Sequence, residues 1–318
     1  MKIVALDGHT LNPGDLSWDE IERLGELTVY ERTAPSEVYD RCKGADIILT
    51  NKAVVGADTI QRLQALKYIG VTATGYNVVD IDAARKKGVP VTNAAGYSSP
   101  SVAQHVFSLL LALCTRAEAH AESVKKGDWA ASKDFCYWLQ SPVELSGKTM
   151  GIVGLGEIGK ATARIALALG MKVIASHKHP RRDAMEGVSF TSLETCFMES
   201  DVVSLHCPLN EENKGFVNSA LLASMKAEAY LINTSRGPLV NEQDLADALN
   251  KRIIAGAGLD VLSSEPPAAD NPLITAKNCL ITPHIAWASK ASRQRLMQIV
   301  AGNIKAFLEG NPVNVINP

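Results

Sequence analysis

From Lys148 to Pro283 the chain repeats one pattern: a short run rich in β-branched residues, followed by a helical pattern. The runs are KTMGIVG (148–154), MKVIAS (171–176), DVVSLHC (201–207), AYLINTS (229–235), IAGAGLDV (254–261) and CLITP (279–283). Parallel strands need long crossover connections that return the chain to the same end, and helices supply them. These six strands predict a doubly wound, dinucleotide-binding sheet.

A shorter series precedes it, with KIVAL (2–6), DIILT (46–50), KYIGV (67–71) and VPVTN (89–93) separated by amphipathic stretches such as Trp18 to Leu24. It predicts a second parallel α/β unit. A chain of 318 residues, 46% of them hydrophobic, is too long for one comfortable core, so two domains are expected. Between the series, a periodic segment from Ser98 carries Val102, Val106, Leu109, Leu110 and Leu113 on one helical face and reads as a connector. The stretch from Lys125 to Lys148, containing GDW and DFCYWLQSP, is rich in aromatic residues and poor in periodicity. It is either a surface loop or a partner-facing arm; an uncovered aromatic cluster favours the arm and a dimer contact. The last helix, Ser289 to Leu308, stops at Gly310 and Pro312.

Lys and Arg total 32 against 34 Asp and Glu, a net charge of −2 that offers no bulk field to nucleic acid or an anionic membrane. The six cysteines are scattered without a C-x-x-C pair, so neither a metal site nor a disulfide scaffold is expected. The apolar start ends at Asp7, and the run Val106 to Cys114 is far short of a bilayer span. A cytoplasmic protein is the expectation.

Gly154-Leu155-Gly156-Glu157-Ile158-Gly159 fits G-x-G-x-x-G, a weak signal alone and a strong one between a strand and a helix. Gly154 permits the tight turn, Gly156 lets a pyrophosphate approach the backbone, and Gly159 lets helix and strand pack closely. The first-turn amides, at Glu157 and Ile158, would hold the phosphates. The carboxylate that usually binds the adenosine ribose is missing after the second strand, where Ser176-His177-Lys178-His179-Pro180-Arg181-Arg182 precedes the first acid, Asp183. These cations form either a solvated turn or a site for a 2′-phosphate. The second reading assigns His177, Lys178 and Arg181 to the cofactor and predicts that NADP(H) is preferred, with NAD(H) possible.

Ligands of open α/β sheets bind beyond the carboxyl ends of the strands. There the chain places His206-Cys207-Pro208, Thr234-Ser235-Arg236-Gly237, Asp260 and Pro283-His284. Glu265, in Ser-Ser-Glu-Pro-Pro, is either part of an exposed acidic loop or the orienting partner of His284. A carboxylate on one imidazole nitrogen fixes the tautomer and favours the protonated ring, the state that donates a proton.

The ordered set G-L-G-E-I-G, H-C-P-L, N-T-S-R-G, G-L-D-V, S-E-P-P and P-H-I-A resembles the D-isomer-specific 2-hydroxyacid dehydrogenases over essentially the whole chain. Gly96 to His105, Asp134 to Trp138 and His284 to Ala288 look most like the glycerate dehydrogenase, or hydroxypyruvate reductase, branch. The resemblance implies two Rossmann-like α/β domains. A doubly wound cofactor domain (99–288) is inserted in a flavodoxin-like substrate domain (1–98 and 289–318), with a cleft that closes over substrate and a homodimer formed through the cofactor domains.

It also implies NAD(P)H-dependent reduction of a small 2-oxoacid, hydroxypyruvate or glyoxylate, and the reverse reaction. Carried over, Arg236 binds the substrate carboxylate and carbonyl, His284 is the acid/base and Glu265 holds it. Asp260 contacts the nicotinamide carboxamide side, with Cys207, Pro208 and Thr234 also toward the cofactor. The loop Val71-Thr72-Ala73-Thr74-Gly75 receives the substrate carboxylate on its backbone N–H groups, and Lys52 either lines the same pocket or is an ordinary surface lysine. Alternatives are a phosphoglycerate dehydrogenase-like enzyme and a non-enzymatic, cofactor-sensing corepressor; a formate dehydrogenase would carry glutamine at Glu265.

Overall fold

The computed structural model describes all of residues 1–318. Two compact units emerge, Met1–Ser98 with Trp287–Pro318, and Ser99–Ala286. The return crossing lies at 286–287 rather than 288–289. Local bonding explains it: Ala286 donates its N–H to Asp260 in the second unit, whereas the Trp287 ring packs edge-on against Tyr97 in the first.

The first unit is a parallel sheet of β1 (Lys2–Ala5), β2 (Glu26–Val29), β3 (Ile47–Thr50), β4 (Tyr68–Val71) and β5 (Val91–Thr92), in the order β2-β1-β3-β4-β5. This is the flavodoxin-like order. Central strands β3 and β4 are buried throughout, as a sheet covered on both faces requires. The missed strand, β2, is a largely exposed edge whose sequence ELTV carries little apolar signal. Helix Lys290–Leu308 covers one face through Leu296, Val300 and Ile304. Ser289 caps it by accepting the N–H of Ser292, and the half-buried pair Arg293–Asp15 anchors it through two 2.7 Å contacts.

The second unit contains β6 (Thr149–Val153), β7 (Lys172–Ser176), β8 (Val188–Phe190), β9 (Val202–Leu205), β10 (Tyr230–Asn233), β11 (Gly256–Leu259) and β12 (Cys279–Ile281). They form one parallel sheet, β12-β11-β10-β9-β6-β7-β8. The expected six strands are present, and β8 adds a short edge. The order reverses at the β6–β9 pair, the switch point where such sheets bind ligands. Helix Ser99–Thr115 is no free connector: Val106, Leu109, Leu110 and Leu113 are buried in this unit's core with Met150, Ile152 and Ile232. No helix is long and apolar enough to cross a membrane.

The aromatic stretch has no regular structure. Ser123 donates to Asp128 at 2.6 Å and pairs with the Tyr137 hydroxyl at 2.7 Å, and Trp129 donates to the Phe135 carbonyl. Within the chain Phe135 remains 88% exposed and Trp138 62%.

Candidate active site

At the glycine-rich turn, each glycine answers a different constraint. Gly154 has φ +98°, and a Cβ there would lie 2.7 Å from the Cys207 amide nitrogen. A Cβ on Gly159 would lie 2.2 Å from the Gly154 carbonyl oxygen. At Gly156 a Cβ would meet nothing within 4 Å, so packing does not demand glycine there; a close-approaching ligand would. Gly156 begins helix Glu157–Ala168, and no side chain caps it, which leaves the amides of Glu157 and Ile158 for an anion. At the end of β10, Thr234 is buried with its hydroxyl oxygen unpartnered. An open cradle and a buried polar orphan at the carboxyl edge fit a dinucleotide.

The segment after β7 requires a correction. His177 accepts the Leu155 N–H on Nδ1 at 3.0 Å, so its proton lies on Nε2, which donates to Asp183 at 2.8 Å. Both nitrogens are committed, and the ring is not a free phosphate ligand. Asp183 also takes Arg182 at 2.7 Å and Lys160 at 3.1 Å. Hydrogen bonds from Arg182 and His177 hold its carboxyl far below the usual range. The acid missing from the strand end is thus brought back from six residues downstream. Lys178 and Arg181 make no such pair.

Asp260 is tied to its own surroundings. It is 1% exposed and accepts Thr282 Oγ1 at 2.6 Å and the amides of Ile285 and Ala286 at 2.9 and 2.8 Å. Its carboxylate is engaged by its own unit and supports the segment bearing His284. Burial pushes its carboxyl up, and the hydrogen bonds from His105, Thr282 and the two amides outweigh burial and leave it below the usual range. Burial also drives the His206 imidazole down to about 4 and the Cys207 thiol up to about 11, so both are neutral near pH 7.

His284 follows β12 with φ +54°, and its Nδ1 lies 2.6 Å from Glu265 Oε2. Glu265 Oε1 accepts the Leu262 N–H at 3.2 Å. The Glu265 loop is held from outside by Glu242, which accepts Ser263 N–H at 2.7 Å and the Asn271 amide at 2.8 Å. Arg236 is exposed and leaves the end of β10 from a turn fixed by buried Asn233, whose side-chain amide donates to the Arg236 carbonyl at 2.9 Å. A Cβ on the next residue, Gly237, would stand 1.9 Å from the Leu262 carbonyl carbon. The Arg236 turn and the Glu265 loop are therefore in backbone contact. The sequence motifs gave no separate role to Glu242, Asn233 or Gly237; the N-x-x-R-G spacing was the signal for the last two.

In the first unit, Asp7 accepts the amides of Asn51, Lys52 and Ala53, which fixes the loop bearing the exposed Lys52. The Asn51 side-chain amide donates to the Thr72 carbonyl at 3.0 Å. Thr72 is buried and its N–H serves the Thr50 carbonyl, so it is not one of the anion-receiving amides. The N–H groups of Ala73, Thr74 and Gly75 have no such partner. Pro208 follows β9 as an exposed residue beyond Cys207.

Residues 107–286 match the family described as D-isomer specific 2-hydroxyacid dehydrogenase, NAD binding domain. The chain is 49% identical to a hydroxypyruvate reductase of Blautia hydrogenotrophica, covering 100% of both chains. It is 41% identical to a glycerate dehydrogenase of Methylorubrum extorquens, over 99% of this chain and 98% of that one. Among solved structures, an acyclic imino acid reductase in complex with NADPH and D-Arg superimposes with a TM-score of 0.87 at 33% identity, covering 99% and 100%. A D-lactate dehydrogenase from Aquifex aeolicus, complexed with NAD and lactic acid, gives 0.85 at 30%, covering 100% and 99%. With its fold, glycine-rich turn and ordered strand-end motifs, this chain belongs to the D-isomer-specific 2-hydroxyacid dehydrogenases, of the hydroxypyruvate reductase and glycerate dehydrogenase branch, and uses a nicotinamide cofactor.

Proposed function

We propose that the protein reduces hydroxypyruvate or glyoxylate to the corresponding 2-hydroxyacid, the D-isomer where that carbon is chiral, and runs the reverse reaction. The observation that carries this reading is the 2.6 Å His284–Glu265 pair on the same edge as the Arg236 turn, which Gly237 packs against the Glu265 loop. Nδ1–H of His284 points at Glu265, so Nε2 is left for substrate and donates its proton to the substrate oxygen. Arg236 meets the substrate carboxylate and the charge that develops on that oxygen. In the reverse direction neutral Nε2 takes the hydroxyl proton. The bound nicotinamide supplies or takes up the hydride at carbon 2. The amides of Ala73, Thr74 and Gly75 suit a carboxylate, as successive free N–H groups do.

For the cofactor we infer a preference for NADP(H) with NAD(H) also accepted. The support is the absence of an acid at position 177 and the unpaired cations Lys178 and Arg181; Asp183 works against it. We further infer a homodimer through the second unit, in which the aromatic stretch is covered and Trp138 reaches toward the partner's site. Cofactor oxidation by the purified protein across a panel of 2-oxoacids, with NADH and NADPH side by side, tests the reading. Retention of cofactor without consumption would reject it in favour of a binding protein.

A further inference from the structure

We propose that His105 is a positioning residue for His284, acting through Thr282 and Asp260 on the backbone that carries the catalytic ring. The proposal rests on His284 being the acid/base. His105 lies on helix Ser99–Thr115, whose inward face is otherwise apolar: Val102, Val106, Leu109 and Leu113. A leucine would serve such a face equally well, so the polar end of the histidine needs a reason. Its Nε2 lies 2.9 Å from Thr282 Oγ1 and 3.4 Å from Asp260 Oδ1.

The direction of this relay follows from proton counting. Thr282 Oγ1 has a single proton and sits 2.6 Å from the Asp260 carboxylate, which only accepts. That proton goes to Asp260, so His105 Nε2–H has two acceptors before it, the hydroxyl oxygen at 2.9 Å and the Asp260 carboxylate at 3.4 Å, and by donating there it stops Thr282 from turning elsewhere. Asp260 is 1% exposed, so bulk water does not replace a lost donor.

What Asp260 holds are the N–H groups of Ile285 and Ala286, directly after His284. His284 itself donates its N–H to the carbonyls of Asp260 and Thr282, at 2.9 Å each. Its φ of +54° is a region that a residue with a side chain occupies only when its neighbours hold it there. The aim of the imidazole at Glu265 is therefore set by backbone hung on Asp260 and Thr282. His105 closes that set of bonds from the helix side.

The test compares His105→Leu, His105→Gln, Thr282→Val, Thr282→Ser and the double variant His105→Leu with Thr282→Val. Steady-state kinetics with hydroxypyruvate, fluorescence titration of NADH and NADPH, and hydrogen exchange at the 285–286 amides are the readouts. Displacing a reacting group by an ångström costs up to about 10²-fold. Accordingly, His105→Leu and Thr282→Val should each lower kcat by about ten-fold or more, with cofactor affinity and KM within about three-fold of the parent. The 285–286 amides should exchange faster. The double variant should be no slower than the worse single one, because both act through one chain of bonds. Glutamine retains an N–H donor at the Nε2 position, and His105→Gln should recover most of kcat. A folded His105→Leu with kcat within about two-fold of the parent, or a His105→Gln as slow as His105→Leu, overturns the proposal. If His105→Leu does not fold, Thr282→Val against Thr282→Ser decides in the same way. His284→Ala, run in parallel, separates the two ideas: normal turnover there rejects the acid/base role, while amide exchange still reports on the relay.

Discussion

His284 and Glu265 share a 2.6 Å hydrogen bond, and the second oxygen of the same carboxylate accepts the Leu262 N–H at 3.2 Å. The carboxylate is anchored to its own loop while it holds the ring. Loss of a positioned acid typically costs about 10² to 10⁴ in rate. His284→Ala should lower kcat by that order and leave NADH titration unchanged. Glu265→Gln should cost about 10- to 10²-fold, because an amide holds the ring in place less firmly and gives no charge to the imidazolium. Near-parental turnover in folded His284→Ala would remove it from the chemistry.

Gly237 couples Arg236 to that loop. A methyl group 1.9 Å from the Leu262 carbonyl carbon cannot be accommodated without backbone movement. Gly237→Ala is expected to lose about 1–3 kcal/mol in urea unfolding and to lose activity along with Arg236→Ala. An alanine variant as active and as stable as the parent would mean that the contact between the two turns is dispensable.

The folded Asp260 carboxyl lies below its ordinary value near 3.9. A depressed acid contributes stability that is present above its unfolded pKa and is lost as pH falls through the folded one. Asp260→Asn should therefore be less stable than the parent at pH 7, since its NH₂ would oppose an incoming donor. The gap in Tm should narrow as pH is lowered from about 5 to 3. A gap that stays constant over this window would contradict the assignment.

After β7, Asp183 offsets the charges of Lys160 and Arg182 and takes the Nε2–H of His177. Asp183→Asn should raise the NADPH-to-NADH ratio of binding constants by about three- to ten-fold, modest because Arg182 is solvated. His177→Asp with Lys178→Ala should move the ratio the other way. A parent that clearly prefers NADH rejects the inferred preference, whereas an unmoved ratio in Asp183→Asn rejects the role of Asp183.

Phe135 and Trp138 are left largely uncovered by their own chain. Sedimentation at micromolar concentration should give a dimer, and Trp138→Ala should weaken it or raise KM. A monomeric parent would refute the arm.

The strand-end residues show where sequence is legible. A glycine-rich turn reads well because each of its glycines answers a local demand, on φ at Gly154 and on helix–strand approach at Gly159. Arg236, Glu265 and His284 stand at positions fixed by the strand repeat, so their shared edge followed from topology. Edges β2 and β8 were missed because a strand exposed on one side needs few apolar residues.

The sequence by itself determined two parallel-sheet units, the glycine-rich turn that follows β6, and the candidate set Arg236, Glu265 and His284 beyond the strand ends. Tertiary structure alone decided what each acid does. Asp183 returned to the end of β7, Asp260 turned inward to hold the His284 segment, and Glu242 reached the Glu265 loop. Periodicity carries burial, which depends on neighbours in the chain. A carboxylate's partner depends on which turns fold back within 3 Å, and that distance exists only once the chain is packed.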